Sequence, residues 1–184
     1  MTTKRHFIKQ FFKEKKTVGA IKPSSKALGK KMLQHIDFSE DKLIVELGPG
    51  TGVFTDLIID KLADDGQLFV FELNDHFYEV LQNRINDPRV HIIHDSAEHI
   101  QKYLKNNEKA DAIVSSLPLM NFPSKLRHAL ILESHDSLKS KGKYIQFQYT
   151  LQSKRTLSKY FDSISINFTV KNLPPAFVYT CRKK

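Results

Sequence analysis

The chain has 184 residues, with 29 Lys and Arg against 20 Asp and Glu, a single Cys and no Trp. That length suits one domain with a sizeable core, and the lone Cys181 excludes an internal disulfide framework and suits a small buried residue in a reducing compartment. No apolar run approaches the roughly 18 residues of a membrane span, and the charged N-terminus lacks the apolar stretch of a secretory signal, so a cytoplasmic protein is expected.

The net charge of +9 is unevenly spread. Residues 1–35 hold ten Lys and Arg against Glu14 alone, residues 36–138 nine against eighteen acids, and residues 139–184 ten against Asp162 alone. Two basic ends around an acidic centre suit an anionic partner, although lysines that merely solvate the surface give the same count. The first block, 1–35, reads as a basic N-terminal helical segment, and 36–184 as the main domain.

Along the chain, "KRHFIKQFFKEKK" (4–16) places Phe7, Ile8, Phe11 and Phe12 on one helical face. Lys4, Arg5, Lys9, Lys13, Lys15 and Lys16 occupy much of the rest. Aromatic residues opposite cations suit a helix lying in a membrane interface, or a lid packed over a ligand. Ser24 and Ser25 are expected to cap a helix over "KALGKKMLQHI" (26–36). Strand-like runs follow at 42–47, 67–73, 89–95, 110–118 and 143–150, each trailed by a helical pattern: 53–63, 75–85, 96–106, 124–139 with Ser124 as cap, and 151–164. "SINFTVKNL" (165–173) and "AFVYTCR" (176–182) close the chain with no helix between them.

Alternation of this kind predicts an α/β fold with a parallel sheet covered by helices on both faces. The final link is too short for a parallel crossover, so the seventh strand should run antiparallel. Seven strands so arranged, with extra N-terminal helices, are the layout of a Rossmann-like methyltransferase, whose ligand sits at the carboxyl ends of the strands.

"ELGPGTG" (46–52) sits at such an end, with Gly48, Gly50 and Gly52 spaced as G-x-G-x-G. That spacing matches neither the dinucleotide fingerprint nor a P-loop. Glu46 ends the first strand, Glu72 ends the second where it can accept both ribose hydroxyls, with Leu73 beside it, and Asp95 ends the third beside Ser96. An acid there can accept a hydrogen bond from an adenine amine. The set resembles the S-adenosylmethionine site of class I methyltransferases; NAD would explain Glu72 but neither the glycine spacing nor Asp95. Taken singly, Glu72 could be a solvated strand end and Asp95 a helix cap.

After the fourth strand, adenine-N6 methyltransferases carry Asn-x-Pro-Tyr/Phe, in which the Asn accepts from the base amine and the ring stacks on it. Here the stretch is "SSLPL", with Ser116 in place of the Asn and Leu119 in place of the ring. The base loses its platform, worth about 1–3 kcal/mol by the single-strand stacking analogy. An amine other than a nucleobase is the expected acceptor.

"VGAIKPSSKAL" (18–28), "VELGPGTGVFT" (45–55), "SSLPLMNFP" (115–123), "KYIQFQYT" (143–150) and "NLPPAFVY" (172–179) together resemble the soluble bacterial phospholipid N-methyltransferases across nearly the whole chain. The resemblance implies S-adenosylmethionine as cofactor, S-adenosylhomocysteine as product, and methylation of phosphatidylethanolamine by an enzyme bound peripherally to an anionic phospholipid membrane. It also places Ser24 near the methionine end of the cofactor. The chain departs from that family at Ser116, where Gly is common, so a side chain there would narrow the acceptor pocket. The related rRNA adenine dimethylases typically continue into a helical RNA-binding domain, which is not expected after Lys184, so RNA is the less favoured partner.

The resulting site has Ser115, Ser116 and Leu117 orienting the amine through loop carbonyls and Tyr149 offering a phenol and a cation–π face, or simply packing at a strand end. Ser115 also borders the cofactor. No metal is expected, since His91 and His94 point to opposite faces of a strand. No dedicated general base and no obligate protein partner are evident. A small-amine methyltransferase and a non-catalytic membrane-binding module remain the other readings.

Overall fold

The computed structural model of the chain describes residues 25–184. In chain order the elements are α1 (Lys26–Leu33), β1 (Leu43–Leu47), α2 (Val53–Ile59), β2 (Gln67–Phe71), α3 (Asp75–Arg84), β3 (Val90–Ile93) and α4 (Ile100–Tyr103). There follow β4 (Ala110–Ser115), α5 (Ser124–Ser137), β5 (Leu138–Gln148), α6 (Ser153–Leu157), β6 (Ser163–Thr169) and β7 (Ala176–Arg182). The strands form one sheet in the order β3-β2-β1-β4-β5-β7-β6. β1 to β5 are mutually parallel, and β7 runs antiparallel between β5 and β6. The fold is thus the Rossmann-like methyltransferase arrangement, and its strand order reverses between β1 and β4, where such sheets open a crevice for a ligand.

Burial on both faces is written into β1, which reads LIVEL and is buried at all five positions. On one face Val45, Leu47, Phe69, Phe71 and Ile113 meet Ile100 of α4 and Leu126, Leu130 and Ile131 of α5. On the other, Ile44, Leu68, Val70 and Val114 meet Leu28 and Met32 of α1, Phe54 and Ile58 of α2, and Leu81 of α3. Cys181 lies fully buried, and the apolar surroundings push its thiol up to about 12. No helix among the described residues is long and apolar enough to cross a membrane.

Four local expectations change. The helix expected over 96–106 is a 3-10 turn (Ala97–His99), the single turn of α4, and a second 3-10 turn (Lys105–Asn107). Asn106 and Asn107 adopt left-handed backbone, with φ of 51° and 58°, which ends any regular helix. Ser124 does not cap α5: extended Pro123 holds the cap position without a side-chain bond, because Ser124 is already helical. The helix after β5 shrinks to five residues, and β6 ends at Thr169 rather than reaching Leu173.

Ser25 does cap α1, its Oγ accepting from Leu28 N–H at 3.1 Å. The same residue ties that helix to the loop after β6. Ser25 N–H donates to Asn172 Oδ1 at 3.0 Å, and Ser25 Oγ donates to the Lys171 carbonyl at 2.7 Å.

Candidate active site

The turn after β1 is shaped by three glycines in left-handed conformation, Gly48 (φ 69°), Gly50 (φ 57°) and Gly52 (φ 85°). A Cβ at Gly48 would lie 2.8 Å from Leu117, and one at Gly52 2.6 Å from Leu81, so backbone and neighbours approach closely. Around Gly50 nothing lies within 4 Å of such a Cβ, so that side of the turn faces open space. Gly48 N–H donates to the Phe71 carbonyl at 3.0 Å and Ser116 N–H to the Leu47 carbonyl at 2.9 Å. The ends of β1, β2 and β4 are thereby stitched into one rim.

Three carboxylates converge on this rim in different electrostatic states. Glu46 is fully buried and neither of its oxygens has a hydrogen-bond partner among the described residues. Burial pushes its carboxyl up to about 8, with Glu72 adding to the rise; Thr55 lies close enough to temper it but does not reach hydrogen-bond geometry. Glu72 is raised as well, chiefly by burial, against which the Asn74 and Gly50 N–H groups donate to its oxygens at 2.7 and 3.1 Å. For Asp95 burial also pushes upward, yet the Ser96 N–H, His99 and Tyr103 outweigh it and hold the carboxyl down to about 2. Ser96 is buried, and its Oγ caps the following 3-10 turn by accepting from Glu98 N–H.

A narrow cleft joins Glu72 and Asp95 but not the fully buried Glu46; Gly48 and Ser96 also line it, and Phe71, Leu73, Ala97, Leu117, Phe122 and Leu130 wall it. Its apolar walls suit a flat ring, Glu72 keeps lone pairs for hydroxyls, and the orphaned Glu46 carboxylate suits a nearby cation. The residues present therefore fit an adenosyl sulfonium amino acid. A more open depression, lined by Gln34, His35, Ile36, Asp37, Phe38 and Lys61, flanks the turn before β1 and borders none of these groups.

The acceptor loop is held more tightly than its sequence suggests. Ser115 is fully buried, and its Oγ makes a long 3.4 Å contact with Leu117 N–H. The Leu117 carbonyl accepts from Gln146 Nε2 at 2.9 Å and from Gln148 Nε2 at 3.2 Å. Gln146 in turn accepts from the buried Tyr144 hydroxyl at 2.7 Å. Both lone pairs of Leu117 are thus occupied, which leaves Ser115 and Ser116 as the loop's candidates for meeting an amine. Tyr149 follows β5, half exposed, with its ring edge-on to Phe147, which packs in the same way on Phe54. It therefore belongs to the face that carries α1 and α2, while Gln146, two residues from Tyr144, shares the α5 face. The two glutamines and the walls Phe71, Phe122 and Leu130 were not singled out from sequence; the available signal was the place of Phe71 and the glutamines at strand ends and of Phe122 beside Pro123, while Leu130 lies within α5. Ser24 and the basic and aromatic positions Lys4 to Lys13 fall outside the described residues.

With that geometry in hand, comparison with known proteins is informative. A family model described as ribosomal RNA adenine dimethylase matches residues 11–141. An ornithine lipid N-methyltransferase of Singulisphaera acidiphila is 29% identical over 180 residues, covering 96% of this chain and 94% of that one. A ribosomal RNA small subunit methyltransferase A of Borreliella afzelii is 30% identical over 132 residues, covering 69% of this chain and 45% of that one. The chain thus spans a little under half the length of the ribosomal relative. Among solved structures, the N-methyltransferase NodS of Bradyrhizobium japonicum superposes with a TM-score of 0.68 at 11% identity, over 86% of this chain and 95% of that one. A SAM-dependent O-methyltransferase of Thermotoga maritima gives 0.65 at 14% identity, over 92% and 69%. At such identities the likeness concerns the fold.

Proposed function

We propose, from the premise that the chain belongs to the ribosomal RNA adenine dimethylase family, that its acceptor is the amine of a membrane phospholipid of the phosphatidylethanolamine type. The chain is an S-adenosylmethionine-dependent methyltransferase. The finer reading rests on the loop after β4. Leu119, at the position of the stacking ring, is 1% exposed within the core beneath α5, and Ser116 offers a hydroxyl where a base-reading enzyme has an amide. The loop thus presents no platform to a base. The lipid-acting relative, matched over nearly its whole length, supports the same acceptor class.

When bound, S-adenosylmethionine supplies a methyl group activated by a sulfonium. In this reading Glu72 holds the ribose, Asp95 and Ser96 border the adenine between Phe71, Leu73 and Leu117, and Glu46 stands near the cationic amino-acid end. The glycine turn lets the backbone approach. The protein's further task is to make an ammonium nucleophilic. Apolar walls strip its water and lower its pKa, and the Ser115–Ser116 segment orients the freed amine. Tyr149 packs on Phe147 on the α1 and α2 face and does not line this cleft, so the cation–π role expected of it has no support in the geometry. Proton loss to solvent suffices, so no dedicated base is needed.

The test is radiolabel transfer from S-adenosylmethionine to vesicles containing phosphatidylethanolamine and an anionic lipid, with ribosomal RNA offered in parallel. Label should appear in the extractable lipid. The family match favours adenine as the second reading, and label confined to the RNA would replace the lipid reading with that one.

A further inference from the structure

We propose that the rim formed by the ends of β5, β6 and β7 is a docking surface for an anionic phospholipid bilayer. It is distinct from the N-terminal segment, and it rests on the lipid reading above for its role in catalysis. The register puts these ends side by side: Gln148 pairs with Phe177, and Thr169 pairs with Ala176. Residues 149–151 and 170–175 therefore leave the sheet at the same edge as the carboxyl ends of β1 and β4, where the cleft opens. From this edge Val170 and Leu173 project 69% and 73% exposed, with Leu151 and Tyr149 about half exposed. Fixed contacts surround them. Tyr179 Oη donates to the Thr150 carbonyl at 3.0 Å, and buried Asn172 holds the loop by donating to the Pro174 carbonyl at 2.8 Å while accepting from Ser25.

The charge around these tips has one sign. Lys154, Arg155 and Lys171 are exposed and have no ion-pair partner among the described residues. The one acid after residue 138 is Asp162, which precedes β6 at the opposite end of that strand. Protruding aliphatic tips within a cationic field match an interface whose headgroups are anionic and whose next layer is hydrocarbon. A nucleic acid would meet the cations but gain nothing from Val170, Leu173 and Leu151. Ser25 is bonded to Lys171 and Asn172, so the basic N-terminal block joins the fold at this same edge.

Because the chain contains no Trp, Leu173→Trp in the full-length protein gives a unique reporter, with Leu132→Trp on α5 as the control. Vesicles of phosphatidylglycerol in phosphatidylcholine should blue-shift the emission of Leu173→Trp, and brominated lipid should quench it at least threefold more than the control. Equal quenching at the two sites overturns the proposal. A triple exchange of Lys154, Arg155 and Lys171 to Gln should weaken vesicle partitioning by about two orders of magnitude, at about fivefold per cation. Calorimetric binding of S-adenosylmethionine should be unchanged. Undiminished partitioning, or loss of binding only to RNA, overturns the proposal too. Quenching at position 173 without any lipid methylation would leave the docking surface standing and remove the proposed acceptor; methylation without quenching would do the reverse.

Discussion

Glu46 is the least compensated acid in the site, and its state depends on pH in a defined direction. An acid whose carboxyl sits near 8 when folded and 4.5 when unfolded binds more protons in the folded chain between those values. Folding stability must therefore fall as pH rises through that window and level off above it, by roughly 3–5 kcal/mol as an upper estimate. Glu46→Gln should flatten the profile, giving a ligand-free protein that is more stable than the parent at pH 8 and similar to it at pH 5. Urea unfolding across that range checks this, and an unchanged slope would rule Glu46 out as the source. Sequence position alone identified Glu46, Glu72 and Asp95 as strand-end acids. What it could not show is that they occupy three different electrostatic states, because a letter E or D says nothing of how many N–H groups converge on it. Asp95 has the Ser96 amide, His99 and Tyr103, whereas Glu46 has none.

Among the elements, β5 does more than close the parallel run. Its Gln146 joins the Tyr144 hydroxyl to the Leu117 carbonyl, so one amide couples the sheet interior to the acceptor loop. Gln146→Leu would remove the acceptor of a buried phenol, leaving it only the neighbouring Ser115, at a cost of about 1–3 kcal/mol, and would release one of the donors that hold the Leu117 carbonyl. The expected outcome is a lower unfolding midpoint and roughly tenfold slower methyl transfer, with cofactor affinity intact. Single-turnover kinetics beside calorimetry separate those effects, and parallel loss of cofactor binding would show that the amide supports the whole rim instead. The alternation of β-branched runs with amphipathic stretches made the parallel run and the antiparallel finish legible before any coordinates. The clamp was not legible, since a strand's period tells which residues share a face but not which carbonyl an amide will find. The shortened helices after β3 and β5 escaped for a related reason. The early start of β6 is decided by its pairing with β7, which overrides local propensity, whereas Asn106 and Asn107 are of a residue type that readily adopts left-handed backbone.

For the molecule as a whole, the alternating charge blocks acquire a place. The basic C-terminal block adds a stretch with no acid of its own to the carboxyl edge of the sheet, and Ser25 ties the start of α1 to it. Attraction of this kind is screened over about 8–10 Å at moderate salt. Partitioning onto anionic vesicles should therefore drop by at least tenfold between low and several-hundred-millimolar salt, as co-sedimentation would report; salt-independent partitioning would assign the attraction to the apolar tips alone. The buried Leu119 bears on the protein's past and on any attempt to redesign it. Exchanging Ser116 for an amide edits a loop, but giving position 119 a tyrosine asks the interior beneath α5 to admit a ring where it now holds a branched aliphatic chain, an overpacking of about 1–3 kcal/mol. A lineage drifting from one acceptor to the other would need compensating changes among Leu126, Leu130 and their neighbours before the ring was tolerated. Such a change is thereby opposed by packing as well as by the chemistry of the loop.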